Sequence, residues 1–159
     1  MSDRSTQTLT LCFPRDDHFI LLGYKKRGFG AGRYNGFGGK VGNSETVREA
    51  AIRELQEEAA ITAHADALIY RGRVAFDTDS ADGKQLVHVF TAPLPQSQPA
   101  ETEEMRPKWF SIRSLPVNHM WPDDAYWLPE VLRGRRIDAW FHIGADEQTI
   151  YDYYIRELN

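Results

Sequence analysis

A single cysteine excludes an intramolecular disulfide, so packing rather than covalent stapling must hold this chain together. Cys12 lies in the run Leu9–Phe13 and reads as a buried strand residue, outside the electropositive settings that make thiols reactive. A reducing compartment follows, most simply the cytosol. No stretch of eighteen apolar residues is present, and Met1-Ser2-Asp3-Arg4-Ser5 lacks the apolar core of a leader, so neither a membrane span nor secretion is expected. Positive charge is also short: 19 Lys and Arg against 23 Asp and Glu leave a net charge of −4. That balance argues against an extended nucleic-acid footprint but admits a small phosphorylated ligand. The five histidines have no metal-ligand spacing, and His88 within Val87-His88-Val89 reads as a strand residue. Repeats and low-complexity tracts are missing, and Pro93–Ala100 is short enough to be an ordinary loop. What remains is one domain spanning 1–159, able to bury about 70% of its unfolded surface. It is expected to act as a monomer on a small ligand, with neither a nucleic-acid polymer nor a membrane as partner.

What the chain does have is a concentrated acidic segment. In Arg53-Glu54-Leu55-Gln56-Glu57-Glu58, helical periodicity puts Glu54, Glu57 and Glu58 on one face, beside an apolar stripe of Ala51, Ile52, Leu55 and Ala59. Unneutralised, three such acids repel one another and weaken the helix; a hard divalent cation, Mg²⁺ or Mn²⁺, would make sense of them. The ordinary fate of such a stretch is a solvated acidic face. Thr46 can cap this helix with Glu49 as its capping-box partner, which predicts a helix over about 46–59. Strands are expected at 6–13, 19–25, 70–77, 86–92 and 108–112, a second helix at 123–133, and a closing hairpin of 139–143 with 149–155. Mixed strands with two helices imply an α/β sandwich.

The acidic segment and the turn before it resemble the signature of the Nudix hydrolases, Gly-x5-Glu-x7-Arg-Glu-U-x-Glu-Glu-x-Gly-U, where U is a bulky aliphatic residue. Gly39, Glu45, Arg53, Glu54, Leu55, Glu57, Glu58 and Ile61 match in register. Ala60 departs where the family has glycine, and should either cost roughly 1 kcal/mol in a left-handed conformation or move the helix end. The runs 25–40, 104–110 and 120–127 are similar to members of that family that act on oxidised purine nucleoside triphosphates. The resemblance implies a Nudix fold, an α/β/α sandwich with a mixed sheet. It also implies Mg²⁺-dependent hydrolysis of damaged purine (deoxy)nucleoside triphosphates to the monophosphate and pyrophosphate, by attack of water at the β-phosphorus. Glu54, Glu57 and Glu58 would hold the metal, with a carbonyl from Gly38 or Gly39, Gly38 being favoured, and with Glu104 as a further acid. Glu57 or Glu58 would accept the water proton, while Arg53 orients the carboxylates; the helical spacing of Glu49, four residues before Arg53, suggests that it holds Arg53 in place.

For the base, Trp121, Tyr126 and Trp127 offer stacking area, Phe29 sits in a glycine-rich turn that permits close approach, and Asp123-Asp124 puts two carboxyls beside these aromatics. Two neighbouring carboxyls in a partly dry site cannot both ionise easily, so one can donate a hydrogen bond while the other accepts. Asn35 would add an amide and Thr8 a hydroxyl. Phe37, Gly38, Gly39, Lys40 and Pro122 belong to the same runs and complete the substrate-binding candidates with Lys25, whose cation suits a triphosphate. Taken alone, Asp123 and Asp124 would ordinarily be a helix cap and a first-turn acid. Asn35 would be a turn residue, and Glu104 part of a hydrated acidic loop. Two other functions fit: a Nudix hydrolase of another nucleoside diphosphate derivative, or a nucleotide sensor without turnover.

Overall fold

A computed structural model describes residues 5–158; Met1–Arg4, where no leader was expected, and Asn159 lie outside the described residues. Strands β1 (Thr6–Pro14), β2 (Phe19–Lys25) and β3 (Tyr34–Asn35) precede helix α1 (Val47–Ala59). After it come β4 (Ile69–Thr78), β5 (Lys84–Ala92), β6 (Met105–Ser111), helix α2 (Asp124–Leu132), β7 (Arg136–Ile143) and β8 (Ile150–Leu158). The mixed sheet has five strands in the order β1-β5-β4-β7-β8, and a smaller antiparallel sheet runs β3-β2-β6. β1 pairs with β5, and β4 with β7, in parallel; β4–β5 and β7–β8 are antiparallel.

Strand alternation distributes the core to both faces of the mixed sheet. Phe13, Val74, Val87, Val89, Ala139 and Phe141 pack with Trp127, Leu128 and Val131 of α2. Cys12 and Phe90 point the other way and pack with Ala51, Leu55 and Ala59 of α1. The result is the expected α/β/α layering. Burial pushes the Cys12 thiol up to about 12, so it behaves as a core residue. Among the described residues no helix is long and apolar enough to cross a membrane.

Element existence follows the sequence closely and boundaries less so. β6 begins at Met105 and includes Pro107, three residues earlier than expected, because it pairs only with β2 at the edge of its sheet, where a missing N–H is tolerated. β3, only two residues long, has no periodicity to read; it exists because Asn35 and Tyr34 pair with Gly23 and Tyr24.

Two features of the fold build the site. Thr46 and Glu49 exchange both capping-box bonds, at 3.1 and 2.9 Å, fixing where α1 begins. At its other end Ala60 adopts φ 55° and ψ 35°, so the helix stops where the glycine of the signature would stop it, at a cost of about 1 kcal/mol. Meanwhile residues 37–41 lie against β1: Thr10 N–H donates to the Gly39 carbonyl at 2.9 Å and Cys12 N–H to the Phe37 carbonyl at 2.7 Å. Gly38 permits this approach, since a Cβ there would fall 1.7 Å from the Thr10 carbonyl oxygen.

Candidate active site

The acidic face of α1 abuts this glycine turn. Gly38 N–H donates to Glu58 Oε1 at 2.7 Å, and a Cβ on Gly39 would sit 2.7 Å from Glu54 Oε1. Arg53 is the organiser: it donates to Glu45 at 2.6 and 3.1 Å, to Glu54 at 2.9 Å, to Glu57 at 3.1 Å and to the Lys40 carbonyl at 3.1 Å. Glu45, also accepting Gly42 N–H, is held down to about 2 by the Arg53 guanidinium. Arg53 is therefore held by Glu45, not by Glu49 as the helical spacing suggested. Glu49 spends its carboxylate on the capping box.

Burial pushes Glu58 up to about 8, against the pull of the Gly38 N–H, and also raises half-buried Glu54 despite its bond to Arg53. Lys25 faces these acids, and its charge lowers both Glu58 and Glu104. Glu104 is kept low chiefly by Arg27, which donates to it at 2.6 and 2.9 Å. Among the described residues no three acidic, histidine or cysteine side chains already converge as a metal cluster. Arg53 holds Glu54 and Glu57, and Arg27 holds Glu104. The donor set nonetheless suits a hard divalent cation: it is all oxygen, Glu54 and Glu58 are ionised only at a desolvation cost, and the Gly38 carbonyl accepts no bond among the described residues, whereas that of Gly39 is taken by Thr10.

One cleft runs from Glu58, Lys25, Gly38 and Gly39 to Phe29, Trp121, Asp123 and Asp124. At the second end the two aspartates are almost fully buried, 1% and 3% exposed. The helix-cap reading of Asp123 does not hold: it occupies the cap position of α2 but its side chain makes no cap bond, and Oδ2 instead accepts the Trp127 indole N–H at 2.7 Å. Desolvation raises both carboxyls, and Asp123 raises Asp124 further, so burial and mutual repulsion favour one proton on the pair over full ionisation. Asp123 Oδ1, Asp124 Oδ2 and Thr10 Oγ1 are buried without partners among the described residues, and all three residues line this cleft. Native proteins rarely leave such groups unmatched, so a polar ligand edge is the expected partner. Phe29 and Trp121 stand 5.1 Å apart with their planes at 35°. Asn35 uses its carbonyl to accept Gly36 N–H at 2.8 Å, which leaves its amide hydrogens to donate.

The cleft thus gathers Lys25, Phe29, Asn35, Gly38, Gly39, Glu58, Trp121, Asp123 and Asp124 of the sequence candidates. Thr8, Phe37, Lys40 and Pro122 do not line it, nor do Arg53, Glu54, Glu57 and Glu104, which lie beyond Glu58 and the glycine turn, nor Tyr126, which packs on Phe141 and Tyr153 instead. Thr8 accepts Val41 N–H through its carbonyl, Phe37 is fully buried in the core beside α1, and Lys40 is exposed while its carbonyl serves Arg53. Thr10, two residues along β1, is the threonine at the cleft. Alternation puts Thr8 and Thr10 on the same side of the strand, so only the meeting with Gly38–Gly39 distinguishes them. Phe76, Thr78, Gln85, Val87 and Ile143 form further wall. Their strands were legible, but the face turned to a ligand was not.

Residues 6–131 match the family model described as the NUDIX domain. The chain is 40% identical over 155 residues to the oxidized purine nucleoside triphosphate hydrolase of Mus musculus, an alignment covering 98% of this chain and 97% of the mouse protein. A Danio rerio protein of the same name is 43% identical over 137 residues, 86% of each chain. Among solved structures, a MutT protein from Bacillus halodurans shares the fold, with a TM-score of 0.78 at 21% identity over 94% of this chain and 97% of that one.

Proposed function

This chain belongs to the Nudix hydrolase family, and from that membership and its cleft we propose that it hydrolyses oxidised or otherwise damaged purine (deoxy)nucleoside triphosphates to the monophosphate and pyrophosphate. The relatives in mouse and zebrafish are named for that substrate class. The observation that carries the reading is one cleft with the buried pair Asp123 and Asp124 at one end and, at the other, Glu58 of the acidic helix face beside the Gly38–Gly39 turn. The enzyme is proposed to act as a single domain and a monomer in the cytosol, on free nucleotide rather than on a nucleic-acid polymer.

Family membership implies a divalent cation; we infer Mg²⁺, with Mn²⁺ able to replace it. Glu54, Glu57, Glu58 and the Gly38 carbonyl would hold it, and Glu104 is the further acid once released from Arg27. When bound, such an ion neutralises phosphate oxygens and lowers the pKa of the attacking water. Arg53 orients Glu54 and Glu57, and Lys25 draws in the triphosphate. Glu57 and Glu58 are the candidates to accept the water proton. At the base, Trp121 and Phe29 stack, Asp124 donates while Asp123 accepts, and the Asn35 amide and Thr10 hydroxyl complete the polar edge.

A turnover panel of normal and damaged purine triphosphates, ADP-ribose and dinucleoside polyphosphates, read by pyrophosphate and phosphate release, tests this function. Oxidised dGTP or dATP should turn over fastest and yield pyrophosphate. Preference for the diphosphate derivatives would establish a different Nudix activity, and tight binding without turnover would establish a sensor.

A further inference from the structure

A chain of contacts beside Trp121 has no role in the hydrolytic step above, although the charge of Arg33 lowers both Asp123 and Asp124. Arg33, at the end of the β2–β3 loop, sets its guanidinium carbon 4.2 Å from the Trp121 ring centroid. The same guanidinium donates through Nη1 to Glu147 Oε1 and through Nη2 to the Glu147 carbonyl, both at 3.2 Å. The other carboxylate oxygen of Glu147 accepts the Ser80 hydroxyl at 2.7 Å. One side chain therefore ties together three loops, those joining β2 to β3, β4 to β5 and β7 to β8. The pair is shielded, with Arg33 and Glu147 side chains 15% and 26% exposed, so it escapes the screening that makes most surface ion pairs ineffective. Glu147 also holds φ 59°, a left-handed conformation unfavourable for a residue with a Cβ, and its side-chain bonds reward that conformation.

Downstream, Trp121 packs on Phe29, and Gly30 leaves it room: a Cβ there would meet Trp121 Nε1 at 3.0 Å. Without Arg33 held across its face, the indole would rest against a glycine-rich loop that carries Phe29 43% exposed. Resting on the reading of the cleft as a purine site, we propose that Ser80, Glu147 and Arg33 form a latch that fixes the Trp121–Phe29 wall before substrate arrives, with Glu147 a positioning residue for base selection. Glu147 touches neither the base nor the phosphates. It acts through Arg33, and its effect belongs in substrate affinity rather than in the chemical step.

The test uses Glu147→Ala, Glu147→Gln, Arg33→Ala and the double variant Arg33→Ala/Glu147→Ala. In substrate-free protein, hydrogen exchange of residues 26–34 should quicken about tenfold in Glu147→Ala, the size expected for losing a shielded charge-assisted bond, and less in Glu147→Gln. Peptides from β1 and β5 should be unchanged. With oxidised dGTP, KM should rise roughly tenfold with kcat within about twofold, and the double variant should be no worse than Arg33→Ala alone. Unaltered exchange in Glu147→Ala, a matching fall in kcat, or additive losses in the double variant would each overturn the latch. If the parent enzyme ignores oxidised dGTP, the purine reading fails, while the substrate-free exchange still decides whether the latch exists.

Discussion

Replacing Glu58 with glutamine should do two opposite things, and the opposition is what makes the variant informative. Glu58 is 8% exposed and accepts Gly38 N–H at 2.7 Å, and burial pushes its carboxyl from 4.5 up to about 8. The folded protein therefore binds this proton more tightly than the unfolded chain does. The stability that goes with the neutral acid is complete below about pH 4.5 and drains away as pH rises, until it is lost through about 8. Glutamine keeps the acceptor oxygen but stays neutral throughout. In EDTA, Glu58→Gln should match the parent near pH 5 and exceed it near pH 9 by on the order of 2–4 kcal/mol, after allowance for water reaching the ionised form. For a chain of this length that is a difference of about 5–10 °C in Tm. Saturating Mg²⁺ should reverse the order, because the parent, with its full set of carboxylates, gains more binding energy than the variant. Turnover in the variant should fall roughly a hundredfold or more. Thermal unfolding of both proteins across pH, with EDTA and with Mg²⁺, supplies the test. Parallel pH profiles in EDTA would show that Glu58 is not the buried, proton-holding acid described here, and full turnover in the variant would remove it from the metal face.

Other perturbations separate the remaining parts. Arg53→Lys keeps the charge but not the fork that reaches Glu45, Glu54, Glu57 and the Lys40 carbonyl, so kcat should drop by about ten- to a hundredfold with the circular dichroism spectrum retained; a rate equal to the parent's would reduce Arg53 to a simple counter-ion. Asp123→Asn and Asp124→Asn should change kcat/KM unequally among oxidised dGTP, oxidised dATP and undamaged dGTP, by about tenfold or more for the worst-affected base, with Mg²⁺ affinity little altered. Equal losses on every base would speak against base recognition by the pair. In heavy-oxygen water the label should appear in pyrophosphate, and its appearance only in the monophosphate would place attack at the α-phosphorus.

Much of this was legible because it rests on short-range rules. Thr46 and Glu49 announced where α1 starts, and the 3.6-residue period put Glu54, Glu57 and Glu58 on one face beside Leu55 and Ala59. Family resemblance carried the base site: Asp123 and Asp124 by themselves looked like a helix cap, and only burial beside Trp127 shows otherwise. What stayed hidden depends on contacts between segments far apart in sequence. Glu45 rather than Glu49 takes Arg53 because the turn after Gly42 folds back over the helix, and a capping box competes for Glu49. Thr10 rather than Thr8 reaches the cleft because Gly38 and Gly39 cross β1 at that level. The Arg33–Glu147 pair joins residues 114 positions apart, a pairing no local pattern encodes. Ala60 is the converse case: the sequence left two outcomes open for it, and the strained left-handed conformation is the one adopted.

The central claim, that the cleft selects damaged purine triphosphates for metal-assisted hydrolysis, is tested most directly by kcat/KM for oxidised dGTP against undamaged dGTP, side by side with Mg²⁺. A preference of about tenfold or more for the oxidised base, with pyrophosphate released in step with monophosphate, is the predicted result. Equal or reversed preference, or no turnover of either nucleotide with Mg²⁺ or Mn²⁺, would contradict it.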